Sequence, residues 1–268
     1  MGEGGRVNTI LKVLKYQARD AVRSRWLIAY GIFFALVTDG LLRFTGDPVK
    51  AQFSLVSVVL FVVPLVAIVF GTVYLYNARE FVELILAQPV NRAQTYAGLY
   101  LGLALPLTLA FVVGLGAPFL FREVDAAGWI TLLALLTAGV VLTAVFTAIA
   151  TLIAVLCEDR LRGLGTAIAV WLLLTVVYDG FVLFVLAVMS DYPLERATLA
   201  MMMANPIDIA RVGLLLRFDA AAMMGYTGAV FLKFFSGAAG MAITTVALTV
   251  WVCAPVALGM RAFRRKDF

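Results

Sequence analysis

The side chains able to do chemistry in this chain are few, and their placement says more than their number. Asp179 stands beside Tyr178 near the middle of the run 164–189, which carries no other charge. A carboxyl group at that depth is expensive and faces a bundle interior or a partner. Two roles stay open for it: a functional or dimer-interface carboxylate, or a structural group kept protonated or bonded to a hydroxyl. Asp39 and Arg43 lie four residues apart near the end of another apolar run. That spacing suits a structural pair that keeps charge close to a helix end. Met201, Met202, Met203, Met223 and Met224 gather in one segment. Thioethers suit Cu(I), and methionine is equally a flexible filler or a partner-contact surface. Consecutive methionines on a helix diverge, so they do not converge on a metal by themselves.

Much chemistry is excluded. The chain has no histidine, the commonest general base and metal ligand. A serine–histidine–acid triad is impossible, although serine–lysine variants are not excluded on that ground. There is no Gly-x-x-x-x-Gly-Lys-Ser/Thr run and no dinucleotide fingerprint. The pairs Glu80/Glu83, Glu123/Asp125 and Glu158/Asp159 fall between apolar runs and read as solvated faces. Cys157 and Cys253 are far apart and form neither a disulfide framework nor a metal spacing. The expectation is a chain with no catalytic residues, no metal and no cofactor of its own. Energy for any work it does must come from a partner or an ion gradient.

The elements that position these residues are membrane spans. Residues 53–76, 96–120, 129–157 and 240–260 carry no charge, 164–189 carries only Asp179, and 26–44 carries charge only toward one end. About 20 apolar helical residues cross a hydrocarbon core about 30 Å thick. The composition agrees: 63% of the 268 residues are hydrophobic and 14% charged, with mean hydropathy +1.02, where a soluble domain carries roughly 25% charged residues. The expected fold is an all-α membrane protein with six transmembrane helices in a single domain, 1–268.

The formal charge of +5 is placed for a membrane and not for nucleic acid. Fourteen basic residues fall on one side, before span one, between spans two and three, between four and five, and after six; seven fall on the other. The positive-inside rule puts both termini in the cytoplasm. The first 25 residues are long and basic, with no small-residue cleavage pattern before a full-length apolar run, so they do not read as a cleavable signal. Segment 6–25 repeats apolar residues at helical spacing opposite a basic face, which predicts a helix lying in the lipid interface. Segment 77–95 carries Phe81, Val82, Leu84, Ile85 and Leu86 where water is expected. Arg79 and Glu83 can pair there, and Pro89 stops the helix. Such an apolar helix should be covered by something. In the extracytoplasmic segment 190–238, Asn205–Pro206 with Asp208 starts a helix that can reach Arg217. The segment predicts short helices at the outer surface or dipping into it, where irregular backbone must be shielded by protein. Gly98-x-x-x-Gly102 permits close helix approach.

This arrangement resembles the permeases of type-2 ABC exporters. AREFVELILAQPVNR (78–92) is similar to the family's coupling segment. YNAREFVELILAQP (76–89), VVYDGFVLF (176–184) and NPIDIARVGLLL…GYTGAVFLKFF (205–235) resemble, more narrowly, the Nos-type permeases, which serve the maturation of the copper sites of nitrous oxide reductase. The resemblance implies a homodimer in the inner membrane among its lipids. It also implies two copies of a cytoplasmic ATPase that binds ATP and Mg, and a periplasmic accessory protein. Arg79, Glu80, Phe81, Glu83, Leu84, Ile85 and Arg92 would then meet the ATPase. Asn205, Asp208 and Arg211, with the five methionines, would face the accessory protein. Copper, a sulfur species or no cargo all stay open. So do a generic type-2 permease for a lipid or drug, and a mechanical or scaffold subunit that moves nothing. An ion-driven secondary transporter is disfavoured, because no internal repeat is visible.

Overall fold

The computed structural model describes residues 24–86, 90–188, 195–215 and 237–265. The expected interfacial helix lies outside them but for its last two residues, and so do Met223 and Met224. The described chain is helical, without a strand, and six helices are long and apolar enough to cross a membrane. The first is α1, Arg25–Thr45. Gly46 ends it in the left-handed region at φ 64°, with its N–H on the Leu42 carbonyl. Asp47 then starts α2, Pro48–Asn77, by accepting from the Val49 N–H at 2.8 Å, with proline at the first helical position. Ala78 separates α2 from the short α3, Arg79–Leu86. Asn91 caps α4, Arg92–Gly116, which continues as a tighter turn through Phe121. Asp125 caps α5, Ala126–Leu156, and Asp159 caps α6, Arg160–Leu172. A π segment, Leu173–Val177, joins α6 to α7, Tyr178–Val188, and the three form one span. Two short helices follow, α8 (Glu195–Met203) and α9 (Pro206–Leu215), and then α10, Ala238–Arg265. Two acids that read as solvated groups, Asp125 and Asp159, are therefore helix caps.

Cross-links fix which ends lie together. Tyr76 donates to the Cys157 carbonyl at 2.8 Å, Arg79 to the Glu158 carbonyl at 2.9 Å, and Arg92 to the Arg264 carbonyl at 3.1 Å. One end of the bundle thus gathers Arg79, Arg92, Arg160, Arg162, Arg261, Arg264 and Arg265, and is called the basic end below. At the opposite end the Gln52 amide donates to the Gly128 carbonyl at 2.9 Å, and Arg122 approaches Asp39 at 3.8 Å. Asp39 also pairs with Arg43 at 2.7 Å. This pair is largely exposed, and exposed pairs contribute a few tenths of a kcal/mol. The 30 residues of α2 span about 45 Å, more than the hydrocarbon core.

The helix α5 is the centre of the bundle and packs on α2, α4, α6, α9 and α10. Its apolar window is 61% buried, against 6% for α10. Close crossings hold the layers together. Phe34 of α1 meets Phe111 of α4 edge-on at 5.1 Å, and Phe111 fills the space over Gly139 of α5 that a side chain would occupy. A Cβ on Gly114 would fall 2.4 Å from the Gly31 carbonyl oxygen, so α1 and α4 touch through backbone. Gly98 and Gly102 are buried in α4.

Gly114→Val should force α1 off α4, at an overpacking cost of about 1–3 kcal/mol. Its thermal unfolding midpoint in detergent should fall clearly. Gly40→Ala, with nothing within 4 Å of the new methyl, should leave it unchanged.

Candidate functional site

Two places concentrate polar contacts between elements. The first is the seat of the α8–α9 pair against the fifth span. Leu174 is the midpoint of the spanning unit Arg160–Val188, and in a π segment the carbonyl ladder is out of step with an α-helix. Asn205, fully buried at the turn between α8 and α9, donates to the Leu174 carbonyl at 2.8 Å and to Asp208 Oδ2 at 3.2 Å. Its own Oδ1 accepts the Ile207 N–H at 3.0 Å and so caps α9. Both amide hydrogens and the carbonyl oxygen of Asn205 are used. The pair therefore dips to mid-span depth with its turn enclosed by protein, as backbone at that depth requires. Ile207 and Leu214 carry α9 into the main core.

Around this turn stand the ionisable groups. Arg211 Nη1 lies 2.8 Å from Asp179 and 3.0 Å from Asp208. Tyr178 donates to the Met201 carbonyl at 2.6 Å. Neighbouring residues on a helix point about 100° apart, so Tyr178 and Asp179 hold two parts of the pair, the end of α8 and the middle of α9. Asp179 thus meets a cation contributed from 32 positions later in the chain. Asp208 is 5% exposed and sits on a helix outside the six crossing ones. Burial, opposed by Arg211 and reinforced by Asp179, pushes its carboxyl above the ordinary carboxylate range.

This seat corrects one sequence expectation. Asn205 and Asp208 are internal, and their polar groups face Leu174, Arg211 and each other, so they are not part of an outer partner surface. Arg211 is one-third exposed, and Met201, Met202 and Met203 are half-buried along α8. No group of three or more Cys, Asp or Glu suited to a metal occurs among the described residues.

The second place is the basic end around α3. Arg79 lies 3.9 Å from Glu83 and also bonds the α5–α6 connection. The helix is not without a core, as its sequence suggests. Val82, 5% exposed, packs with Tyr96, Leu99 and Phe263 in a small cluster separate from the main core, with Leu86 against it. Leu84 is 70% exposed, Glu80 and Glu83 are exposed, and Phe81 and Ile85 are half-buried. Arg92 is half-buried and donates to the Arg264 carbonyl at the α10 terminus. The sequence pointed to the apolar helix but not to Val82 as its anchor, because one apolar residue among five carries no mark of which way it faces.

Asn205→Ala should leave the Leu174 carbonyl unpaired, a loss of about 1–3 kcal/mol. Limited proteolysis should then cut within 195–215 faster than in the wild type. Asp208 gives a pH signature. A folded value above the ordinary 3.8 means that the folded chain keeps a proton that the unfolded chain releases. The stability contributed by the protonated form is full below the ordinary carboxylate value and is lost as pH rises through the raised folded one. The unfolding midpoint of the wild type relative to Asp208→Asn should therefore fall across that window and level off above it.

Comparison with known proteins places this architecture. Residues 11–268 match the ABC-2 family transporter protein family. The chain is 27% identical, over 95% of its length and 97% of the relative's, to the probable ABC transporter permease protein NosY of Pseudomonas aeruginosa. It is also 27% identical to the protein of the same description in Stutzerimonas stutzeri, over 77% of this chain and 81% of that one. Six crossing helices without a nucleotide motif agree with a permease, whose family implies an ATPase partner. The chain belongs to the ABC-2 transporter family, as a multi-pass permease subunit similar to NosY.

Proposed function

We propose that this permease works as a Nos-type subunit: a homodimer in the inner membrane, with its basic end in the cytoplasm and two copies of a separate ABC ATPase docked there. The ATPase binds ATP and Mg, and the permease passes its closure across the membrane, as transport or as force on a periplasmic accessory protein. The process served is copper-site assembly of nitrous oxide reductase. The NosY-like relatives over nearly the whole chain support the type, and the gathering of arginines at one end supports the orientation.

The observation that carries the reading is α3. A two-turn helix at the basic end is held by one buried residue, Val82, and by Arg79 on Glu158. It offers outward a large exposed leucine flanked by two carboxylates. An apolar residue framed by like charges suits a cleft with an apolar floor and a basic rim. The anchored side rigidifies the helix, so that force applied to Leu84 reaches the bundle.

Contact hot spots cost at least about 2 kcal/mol when truncated, about 30-fold in affinity. Phe81→Ala combined with Leu84→Ala should therefore strip the ATPase from the permease during detergent purification and leave the permease dimer in the membrane. Full co-purification of the ATPase would place docking elsewhere.

A further inference from the structure

The last span has an unusual hold on the bundle. Its apolar window is only 6% buried, yet its final turns carry a stripe of buried residues, Pro255, Gly259 and Phe263, at four-residue spacing. Gly259 and Phe263 of that stripe face Tyr96 of α4. Tyr96 is 1% exposed; its hydroxyl is 3.0 Å from Thr151 Oγ1 of α5, and its ring centroid lies 5.7 Å from that of Phe263. A Cβ on Gly259 would fall 2.0 Å from the Tyr96 hydroxyl oxygen and 2.8 Å from the ring carbon bearing it. Only glycine lets α10 seat against this side chain. Val82 of α3 belongs to the same cluster, and Arg92 ties the start of α4 to the last turn of α10.

We infer that α3 acts on the last span: load on α3 passes from Val82 to Tyr96, and from Tyr96 to Gly259 and Phe263, so that α10 is the helix that responds to a partner at the basic end. A small, partly open cavity of about 50 Å³ lies beside the cluster. Val82, Tyr96, Thr151 and Phe263 line it, and Gly259 does not. Val82 already packs with Tyr96 in this cluster, and the contact between Tyr96 and Gly259 has no slack. Close-packed contacts transmit displacement and do not absorb it. The inference rests on the proposed docking of an ABC ATPase at α3.

The test uses the full permease co-purified with its ABC ATPase, with Cys157 and Cys253 replaced by serine and a cysteine placed at Met241. That position is exposed near the far end of α10. Labelling of Met241→Cys by a bulky maleimide is followed with and without ATP and vanadate. In the otherwise unaltered permease the labelling rate should change about fivefold or more. Gly259→Ala should abolish that change while the ATPase stays bound. Phe263→Ala, which only removes contact, should weaken the response in the same way. A full response to ATP in the Gly259→Ala and Phe263→Ala chains overturns the inference. Loss of the ATPase from both chains also overturns it, because the cluster would then hold α3 in place and pass nothing on. If the unaltered permease retains no ABC ATPase at all, it is the proposed function that fails.

Discussion

A polar group that reaches the middle of a bilayer has no water to turn to, and the seating of Asn205 on the fifth span answers that constraint. The π segment offers the Leu174 carbonyl, and Asn205 takes it while capping its own helix. Without that bond the turn between α8 and α9 would leave open backbone at mid-span depth, at several kcal/mol for each unsatisfied group. Because the turn is satisfied, α9 can carry Ile207 and Leu214 into the main core and bring Arg211 to Asp179. The carboxylate in the span and the dipping helix pair therefore depend on each other. An arginine shared by two carboxylates is tolerable at this depth when one of the acids holds its proton, and the burial of Asp208 favours that state.

The rest of the bundle is built by close approach. Lipid tails are as apolar as leucine, so helices associate in membranes through packing and small residues. Gly31 against Gly114, and Phe111 over Gly139, bring α1, α4 and α5 into contact at the distances where dispersion is strongest. The long helices then outrun the hydrocarbon core, which leaves room at the basic end for a second, smaller core. The protein keeps its two regions of polar contact apart, one at mid-span and one at the basic end, with α5 and the fifth span connecting them.

The sequence is most readable where local chemistry decides structure. Uncharged runs reveal the six spans, and Asn205–Pro206 announces the start of α9 before any contact is known. Asp125 and Asp159 start helices by the same capping logic, although their acidic pairs read as solvated faces. It is least readable where the outcome depends on which distant residue arrives. The cost of Asp179 is visible in the sequence, but its cation sits on a helix 32 positions later in the chain. The π segment has no residue signature, since Leu173–Val177 reads as ordinary apolar helix. Val82 is indistinguishable from Phe81 or Ile85 until Tyr96 and Phe263 are brought to it. Arg92 reads as a surface cation and proves to be a tie between α4 and α10.

The central claim is that the basic end, through α3, is where the ATPase of this permease docks. The most direct measurement is site-specific cross-linking in membranes, comparing a photoreactive residue at Leu84 with one at Phe121 on the opposite end; the two positions are 70% and 85% exposed. The account predicts a cross-link from Leu84 to an ABC ATPase and none from Phe121. An ATPase captured from Phe121, or from neither position while the two proteins co-purify, would contradict it.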